Sequence, residues 1–345
     1  MSVAPALSVV IPALDEAPRL PALLEQLRAQ RGVTLEIIVA DGGSRDGTPE
    51  LARAAGATLV AAGRGRGRQM NAAAREAHGD WLAFLHADSE LRDPELLAGA
   101  LVALRAAGGT RVAGHFPLRF AGAAPGRAAF YRYLEGKTRL NRPYTVNGDQ
   151  GLLLRRDWFG QLGGFDDSLP FLEDQRLAAR IFSEGRFVVL PGTLWTSARR
   201  FEAEGPAQRY ALMAIIMGLH AAGLDEFFAR APAAYAAQSA ASPLDLRPFR
   251  RVVHELLREQ GPARAARTLW RAGRFVRENA WQLAYWIDLR RGAAGLPALA
   301  AFDRHVARWL RNPAADGLAT LLMCLWFFAW LPLAPRQDRG AHRRT

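Results

Sequence analysis

Over the first hundred residues the apolar positions fall in short unbroken runs, each closed by a proline, a glycine or an acidic residue. Leu7–Ile11 is one such run, stopped by Pro12, and Leu35–Ala40 is a second. Ala57–Ala61 is a shorter third, and Trp81–Leu85 a fourth that ends in His86-Ala87-Asp88-Ser89. Continuous apolar runs of this length suit strands covered on both faces. Between the first two, Leu20, Leu23, Leu24 and Leu27 recur at i, i+3, i+4, i+7, which marks one face of a helix. Thr48-Pro49 reads as the N-cap and first-turn proline of the next helix, and Asn71–Ala77 is predicted helical. Strand alternating with helix to about Leu104 predicts βαβ units, hence an α/β fold with a mainly parallel sheet and helices on both faces.

From Arg111 to Thr196 strands mix with loops: Val112–Phe120, Gly151–Leu154 and Phe187–Leu190 are predicted strands, and Glu173–Ser183 a helix. After Pro206 the chain turns to helices rich in Ala, Leu and Arg, with an Ala-, Ser- and Pro-rich boundary at Ala236–Pro248. The expected organisation is an α/β domain over 1–205, a helical extension over 206–235 and a helical C-terminal segment over 236–345. That segment holds Gly317–Pro335, nineteen residues without a charge, followed by Arg336, Arg339, Arg343 and Arg344. At ~1.5 Å per residue such a helix is roughly 28 Å long, close to a bilayer core, and the trailing arginines suit a cytoplasmic end. A helix buried against its predecessors gives the same pattern, and Pro332 interrupts the last turn. The ridge Arg247–Arg277, with Trp270, Phe275 and Trp281 interleaved, has the character of a basic surface that lies on anionic lipid.

A net charge of +12, with Lys137 the only lysine, fits an anionic membrane surface or a phosphorylated substrate. No zinc-finger spacing, zipper heptad or ribonucleoprotein aromatic pattern accompanies it, so nucleic acid is not an expected partner. Cys324 is the single cysteine, which excludes an intrachain disulfide and fits a reduced, cytoplasmic setting. The Met1–Leu7 start lacks the charged-then-apolar layout of a secretory signal.

The chemistry gathers where strands end, because open α/β sheets bind ligands at the carboxyl edge. Asp41 closes the second strand, and Gly42 and Gly43 after it allow close backbone approach to a ligand; its carboxylate can accept from a base N–H or a ribose hydroxyl. Asp46-Gly47-Thr48 reads as turn and capping chemistry. Asp88 ends the fourth strand and can hold Mg²⁺ or Mn²⁺ while phosphate oxygens fill other positions. Gly63-Arg64-Gly65-Arg66-Gly67-Arg68 is predicted to be a flexible loop, not a dinucleotide fingerprint at a strand-to-helix turn, with Arg68 able to reach a diphosphate. Glu173-Asp174 opens a helix, where paired carboxylates can supply a general base for an acceptor hydroxyl or simply favour the helix N-terminus.

Together Ile11-Pro12-Ala13-Leu14-Asp15-Glu16, Ala40–Thr48, Gln69-Met70-Asn71, Phe84-Leu85-His86-Ala87-Asp88 and Leu172-Glu173-Asp174 resemble the family 2 glycosyltransferases of the GT-A fold, over about Leu7 to Phe201. His86-Ala87-Asp88, Asn147-Gly148-Asp149-Gln150-Gly151 and Thr196–Phe201 are most similar to the bacterial branch associated with radical-SAM and selenodomain genes. The resemblance implies a Rossmann-like GT-A domain and an inverting, metal-dependent transfer from a nucleotide-diphosphate sugar to an acceptor hydroxyl or phosphate. By position, Pro12, Ala13, Glu16 and Asp41 hold the nucleoside, Arg68 the phosphates, and His86 and Asp149 complete the donor site. Asp88 binds Mg²⁺ or Mn²⁺, and Asp174, with Glu173 beside it, is the base. His86 replaces the first acid of the family's Asp-X-Asp, and a neutral imidazole still hydrogen-bonds or ligates. The signature of processive members is absent, with Arg199-Arg200-Phe201 nearest to it, so single transfer is expected. The acceptor is a lipid-linked or small molecule, and the expected place is the inner face of the cell membrane. The alternatives are a non-catalytic membrane-associated module on the same fold and a nucleotidyltransferase, although the latter wants a basic loop where Asp15 and Glu16 stand.

Overall fold

The structure, a computed structural model, describes residues 6–168, 170–236 and 243–333. The arginines after 335, the last two residues of the apolar run and the first five residues of the chain lie outside them. The chain forms two compact units, Met1–Arg199 and Arg200–Thr345.

The first unit opens with Leu7–Ala13 (β1), Leu20–Arg28 (α1), Leu35–Asp41 (β2), Thr48–Ala54 (α2), Thr58–Ala61 (β3), Arg66–Arg75 (α3), Trp81–Phe84 (β4) and Leu96–Ala107 (α4). Val112–His115 (β5), Leu118–Ala121 (β6), Ala128–Lys137 (α5), Leu152–Arg155 (β7), Arg156–Gln161 (α6), Glu173–Glu184 (α7), Arg186–Val189 (β8) and Leu194–Ser197 (β9) follow. Seven strands make one sheet in the order β3-β2-β1-β4-β7-β5-β8, and β6 pairs with β9 in a second. All neighbours in the large sheet run parallel except β7, which is antiparallel to both β4 and β5. This mixed α/β sheet with helices on two faces is the fold class that the apolar runs predict.

Every residue of β1 is buried, as a central strand covered on both sides requires. Its alternate side chains feed two separate cores. Leu7, Val9 and Ile11 join Leu20, Leu23, Leu24 and Leu27 of α1 and Leu97 and Leu101 of α4 on one face. Val10 joins Met70 and Ala73 of α3, Trp158 and Phe159 of α6 and Leu177 and Ile181 of α7 on the other. At about 1.5–3 kcal/mol for each fully buried aliphatic side chain, these two layers dominate the stability of the unit.

Three local expectations are corrected. The predicted strand Val112–Phe120 is two strands in different sheets, β5 and β6, parted at Phe116-Pro117. Pro117 has no N–H to give a ladder, so the chain leaves one sheet there and enters the other. The Gly63–Arg68 stretch does occupy a strand-to-helix turn, between β3 and α3, and its second half is helical. Gly65, at φ 129°, is the N-cap that lets the helix begin at Arg66, five residues before Asn71. Thr48 lies inside α2 with Gly47 as its N-cap, and Asp46 Oδ1 accepts from the Thr48 N–H at 3.1 Å.

The second unit is helical. Arg199–Glu204 (α8) crosses its boundary, followed by Pro206–Ala222 (α9), Glu226–Ala236 (α10), Arg247–Glu278 (α11), Trp281–Arg291 (α12) and Pro297–Ala301 (α13). Pro313–Cys324 (α14) continues through π-helical turns, Leu325–Trp330, to Leu333. α11 is broken where Gly261 takes φ 72° before Pro262, which cannot continue the backbone ladder. Trp281, predicted on a lipid-facing ridge, is only 5% exposed and packs inward near Tyr285. Trp270, on the same predicted ridge, is exposed.

Candidate functional site

The carboxyl ends of β1 and β2 carry two loops that are laced together. Gly42 N–H donates to Ala13 O at 2.9 Å, and the buried Gln69 amide of α3 donates to both Ala13 O (2.7 Å) and Ala40 O (2.8 Å). Glu16 N–H donates to Thr48 Oγ1, Ala17 N–H to Asp46 Oδ2 and Arg45 N–H to Asp15 Oδ1, so each loop satisfies the other's backbone. Asp41 ends β2, buried, and its carboxylate accepts from Gly43 N–H at 3.0 Å and Ser44 N–H at 3.2 Å. Glu16 is held by Arg19 at 2.5 Å. Pro12, Ala13, Glu16 and Asp41 therefore share one edge, with Gln69 as the brace beneath them.

A second cluster sits at the end of β4. Because β7 is antiparallel, its N-terminal end meets the same sheet edge, and the turn before it, Asn147-Gly148-Asp149, arrives beside His86. His86 Nδ1 lies 2.8 Å from Asp149 Oδ1. Gly148 N–H donates to Asp174 Oδ2 at 2.7 Å, and Gln175 N–H to Asp174 Oδ1 at 2.8 Å. Both carboxylate oxygens are thus oriented by backbone donors. Gly148 sits close to both groups: a Cβ there would stand 3.0 Å from His86 Nε2, tight against the ring, and 3.6 Å from Asp174 Oδ2. His86, Asn147, Gly148, Glu173 and Asp174 line one cavity of about 20 Å³, enough for a single water. Asp88 follows two residues after His86 in a turn closed by Ser89 N–H on His86 O at 3.0 Å.

α7 enters this cluster from Leu172, whose left-handed φ of 73° turns the chain sharply so that Glu173 and Asp174 lead the helix. Sequence reading treats the two alike, but the structure separates them. Glu173 is 4% exposed, and burial first, then the neighbouring Asp174 charge, push its carboxyl above the ordinary range; the Arg66 guanidinium and His86 offset part of this. The folded state therefore holds that proton more tightly than the unfolded chain does. The resulting stability is complete below the ordinary value of 4.5 and is lost as pH rises through the folded value. Glu173→Gln is accordingly expected to melt higher than the parent at pH above the folded value, by roughly 2–4 °C for each kcal/mol relieved. The gain should vanish below pH 4.5. Thermal scans of both proteins across pH check this, and a Gln variant that melts lower at neutral pH would mean that the charged carboxylate is itself a structural anchor.

Arg68, expected near the phosphates, has an acidic neighbour in the structure. It lies in the first turn of α3 with its side chain 59% exposed, and Nε stands 4.0 Å from Asp167 Oδ2. Arg66, two residues earlier, is the α3 cation whose charge bears on Glu173. Two residues of the Gln69-Met70-Asn71 motif prove to be braces. Gln69 ties β1 to β2, and Asn71 both donates to Phe165 O (2.8 Å) and accepts from Phe165 N–H (2.9 Å), fixing the chain at Phe165. The motif is visible in sequence, but the partners, 94 residues away for Asn71, are not.

Among the described residues no three His, Cys, Asp or Glu side chains gather as a complete metal shell. At the end of β4 the edge offers Asp88 and, two residues before it, His86. Such a partial set fits an ion that keeps waters and takes oxygens from a bound diphosphate, the usual habit of Mg²⁺ and its octahedral relatives.

Residues 8–163 match the sequence model of glycosyl transferase family 2. A PGL/p-HBAD biosynthesis glycosyltransferase of Mycobacterium tuberculosis is 35% identical over 102 residues, which is 28% of this chain and 40% of that protein. The succinoglycan biosynthesis protein ExoO of Rhizobium meliloti is 35% identical over 97 residues, 27% of this chain and 28% of its own length. The chain thus spans well under half the length of these curated relatives. Among solved structures, the mannosyltransferase PcManGT of Pyrobaculum calidifontis, in complex with GDP-Man and Mn²⁺, aligns over 94% of this chain and 88% of its own, with a TM-score of 0.50 and 21% identity. That likeness shows the fold, a mostly parallel sheet flanked by helices of the GT-A kind. Over residues 8–163, just under half of its length, the chain is thus similar to glycosyl transferase family 2.

Proposed function

We propose that the chain is a metal-dependent, inverting glycosyltransferase that moves a sugar from a nucleotide-diphosphate donor to an acceptor hydroxyl or phosphate. The observation that carries the reading is the Asp174 carboxylate, aimed by Gly148 N–H beside His86 on the same sheet edge as Asp41. A nucleoside on the Asp41 side places its diphosphate toward Asp88, which leaves the sugar between Asp88 and Asp174. In this reading Pro12, Ala13, Glu16 and Asp41 hold the nucleoside, and Arg68 meets the phosphates on rotating away from Asp167. Asp149 fixes the His86 ring at the donor.

Asp174 takes the proton of the acceptor hydroxyl as its oxygen forms the new bond to the anomeric carbon. The bond from that carbon to the diphosphate oxygen breaks on the opposite face, its electron pair leaving with the diphosphate. Attack from the face opposite the leaving group inverts the anomeric centre. Glu173, buried beside Asp174, has its carboxyl pushed above the ordinary range by burial and by the Asp174 charge. Mg²⁺ or Mn²⁺ held by Asp88, with His86, would supply charge neutralisation at the departing diphosphate.

The finer features rest on His86-Ala87-Asp88, Asn147–Gly151 and Thr196–Phe201, which favour the radical-SAM/selenodomain-associated branch, and on the missing processive signature, with Arg199-Arg200-Phe201 in its place, which favours single transfer. The apolar helix Pro313–Leu333, long enough to cross a bilayer by length and composition, favours work at the inner face of the cell membrane on a lipid-linked or small acceptor.

A thermal-shift panel of nucleotide-diphosphate sugars, each with and without Mn²⁺, tests the reading, since a ligand of the folded state raises Tm by mass action. A metal-dependent rise with one donor, followed by release of its nucleoside diphosphate on adding acceptor, is the expected result. Folded protein that no donor shifts would instead be a non-catalytic module on this fold. Release of inorganic diphosphate would make it a nucleotidyltransferase.

A further inference from the structure

In the second unit, the helix Pro313–Leu333 combines a packed face with an apolar exposed one. Only 11% of its most apolar stretch is buried, at a mean hydropathy of 1.7. Leu318, Leu321, Leu322 and Leu325, spaced i, i+3, i+4, i+7, are 52–59% exposed and form one stripe, which Trp330 and Leu333 prolong. The opposite face is seated on α11. Gly273 lets Thr320 approach so closely that a Cβ there would lie 2.6 Å from the Thr320 Cα, and Arg277 pairs with Asp316 at 2.5 Å. Further along, Arg250 stands over the Phe327 ring at 5.8 Å and His254 against Phe328 at 5.1 Å.

We propose that this helix lies in the plane of an anionic bilayer surface, its leucine stripe among the acyl chains and the arginines of the second unit at the headgroups. The inference takes up the membrane placement proposed above and says how the protein sits there; it does not depend on the transferase reading. Three observations select this occupant. Two of the exposed tryptophans are paired with cations: Arg290 lies over Trp286 at 5.2 Å and Arg308 over Trp309 at 5.3 Å. A ring with an apolar body and a polar edge, beside a guanidinium, suits the headgroup layer. Secondly, α11 carries Arg251, Arg258, Arg264, Arg267 and Arg271 at exposed positions, besides the arginines that it packs against the apolar helix. Such a density of cations attracts anionic lipid and opposes the self-pairing of this face in a second copy. Thirdly, the seat argues against crossing. A spanning helix would have to carry Arg250, His254 and Arg277 into hydrocarbon or be stripped from α11, and charged groups there are disfavoured. Lying in the plane keeps every packed contact and covers only the leucine stripe.

The test uses the full-length protein and sedimentation with vesicles of phosphatidylcholine, with and without phosphatidylglycerol. Binding is expected with phosphatidylglycerol and is expected to fall roughly tenfold or more in the triple variant Leu318→Gln, Leu322→Gln, Leu325→Gln, whose exposed positions leave the fold intact. An unchanged melting temperature of the variant secures that point. Orientation is read from fluorophores on Leu318→Cys and Leu325→Cys in a Cys324→Ser background, quenched by lipids with nitroxides at graded depths. Equal depths support the in-plane helix; depths that differ by roughly 10 Å mean a spanning one, leaving the membrane placement standing and this proposal overturned. No binding to either vesicle overturns both, and a dimer by light scattering that the triple variant abolishes assigns the stripe to a second copy. Donor-induced thermal shifts, measured on the same samples without lipid, report on the transferase reading separately.

Discussion

Asp174→Asn is expected to lower the single-turnover rate of sugar transfer by about 10²–10⁴-fold, the usual worth of a positioned general base. The substitution is nearly isosteric, and a carboxamide oxygen can still accept from Gly148 N–H, now 2.7 Å from Asp174 Oδ2. The turn before β7 should therefore stay in place, and with it the His86–Asp149 contact. Asp174 lines the cavity at the end of β4, while the edge proposed for the nucleoside is held by Gln69 and Asp41 on other elements. Donor affinity measured by titration should thus be unchanged while turnover collapses. A variant that loses donor binding in proportion to its activity would place Asp174 in the donor pocket and sink its role as base. Activity retained within a few-fold would hand that role to another group, Glu173 being the one beside it.

The second large effect concerns Asp88. With donor at a hundred times its Kd the folded state gains about 2.7 kcal/mol, a rise in Tm of roughly 5–10 °C for a unit of this size. Asp88→Ala is expected to remove the part of that rise that requires Mn²⁺ and to leave the Tm of the donor-free protein close to the parent's. Asp88→Asn, which keeps the shape of the turn with a neutral ligand, should fall between. His86 remains in both variants, held by Asp149, so the residual metal effect measures what the imidazole supplies in place of the family's first acid. Equal donor shifts with and without Mn²⁺ in the parent would overturn metal dependence altogether, whatever Asp88 does.

The strands that build the donor edge were legible because their burial is local in sequence. Val9, Val10 and Ile11 are apolar in succession because β1 is covered on both faces, and Pro12 marks where the ladder stops. The acidic residues at strand ends follow from the same pattern: once β1, β2 and β4 are drawn parallel, Asp41 and Asp88 share an edge. Helix α3 was harder to see, since three glycines between Gly63 and Gly67 argue against helix by propensity. Packing overrides that, with Gly67 at the first turn beside the Asp166 carbonyl, 3.2 Å from where a Cβ would stand. The split at Pro117 hides inside an apolar stretch whose two halves happen to serve different sheets. Nothing local separates Glu173 from Asp174 either. That one is buried and the other positioned by Gly148 depends on a turn 26 residues upstream. The His86–Asp149 contact bridges 63 residues and requires β7 to run against its neighbours, which no periodicity announces.

The amide of Gln69 bonds two carbonyls on two different strands, and this has a kinetic meaning. With Gln69 bonded to both, the loops after β1 and β2 are braced together, so the edge proposed for the nucleoside is formed without a donor. A preformed pocket spends none of its binding energy on ordering loops and is not diluted among incompetent conformers. Donor capture should then be a one-step encounter, its observed rate rising in proportion to donor concentration without a plateau. Selectivity among nucleotides would reside in how long each remains bound, not in how fast it enters.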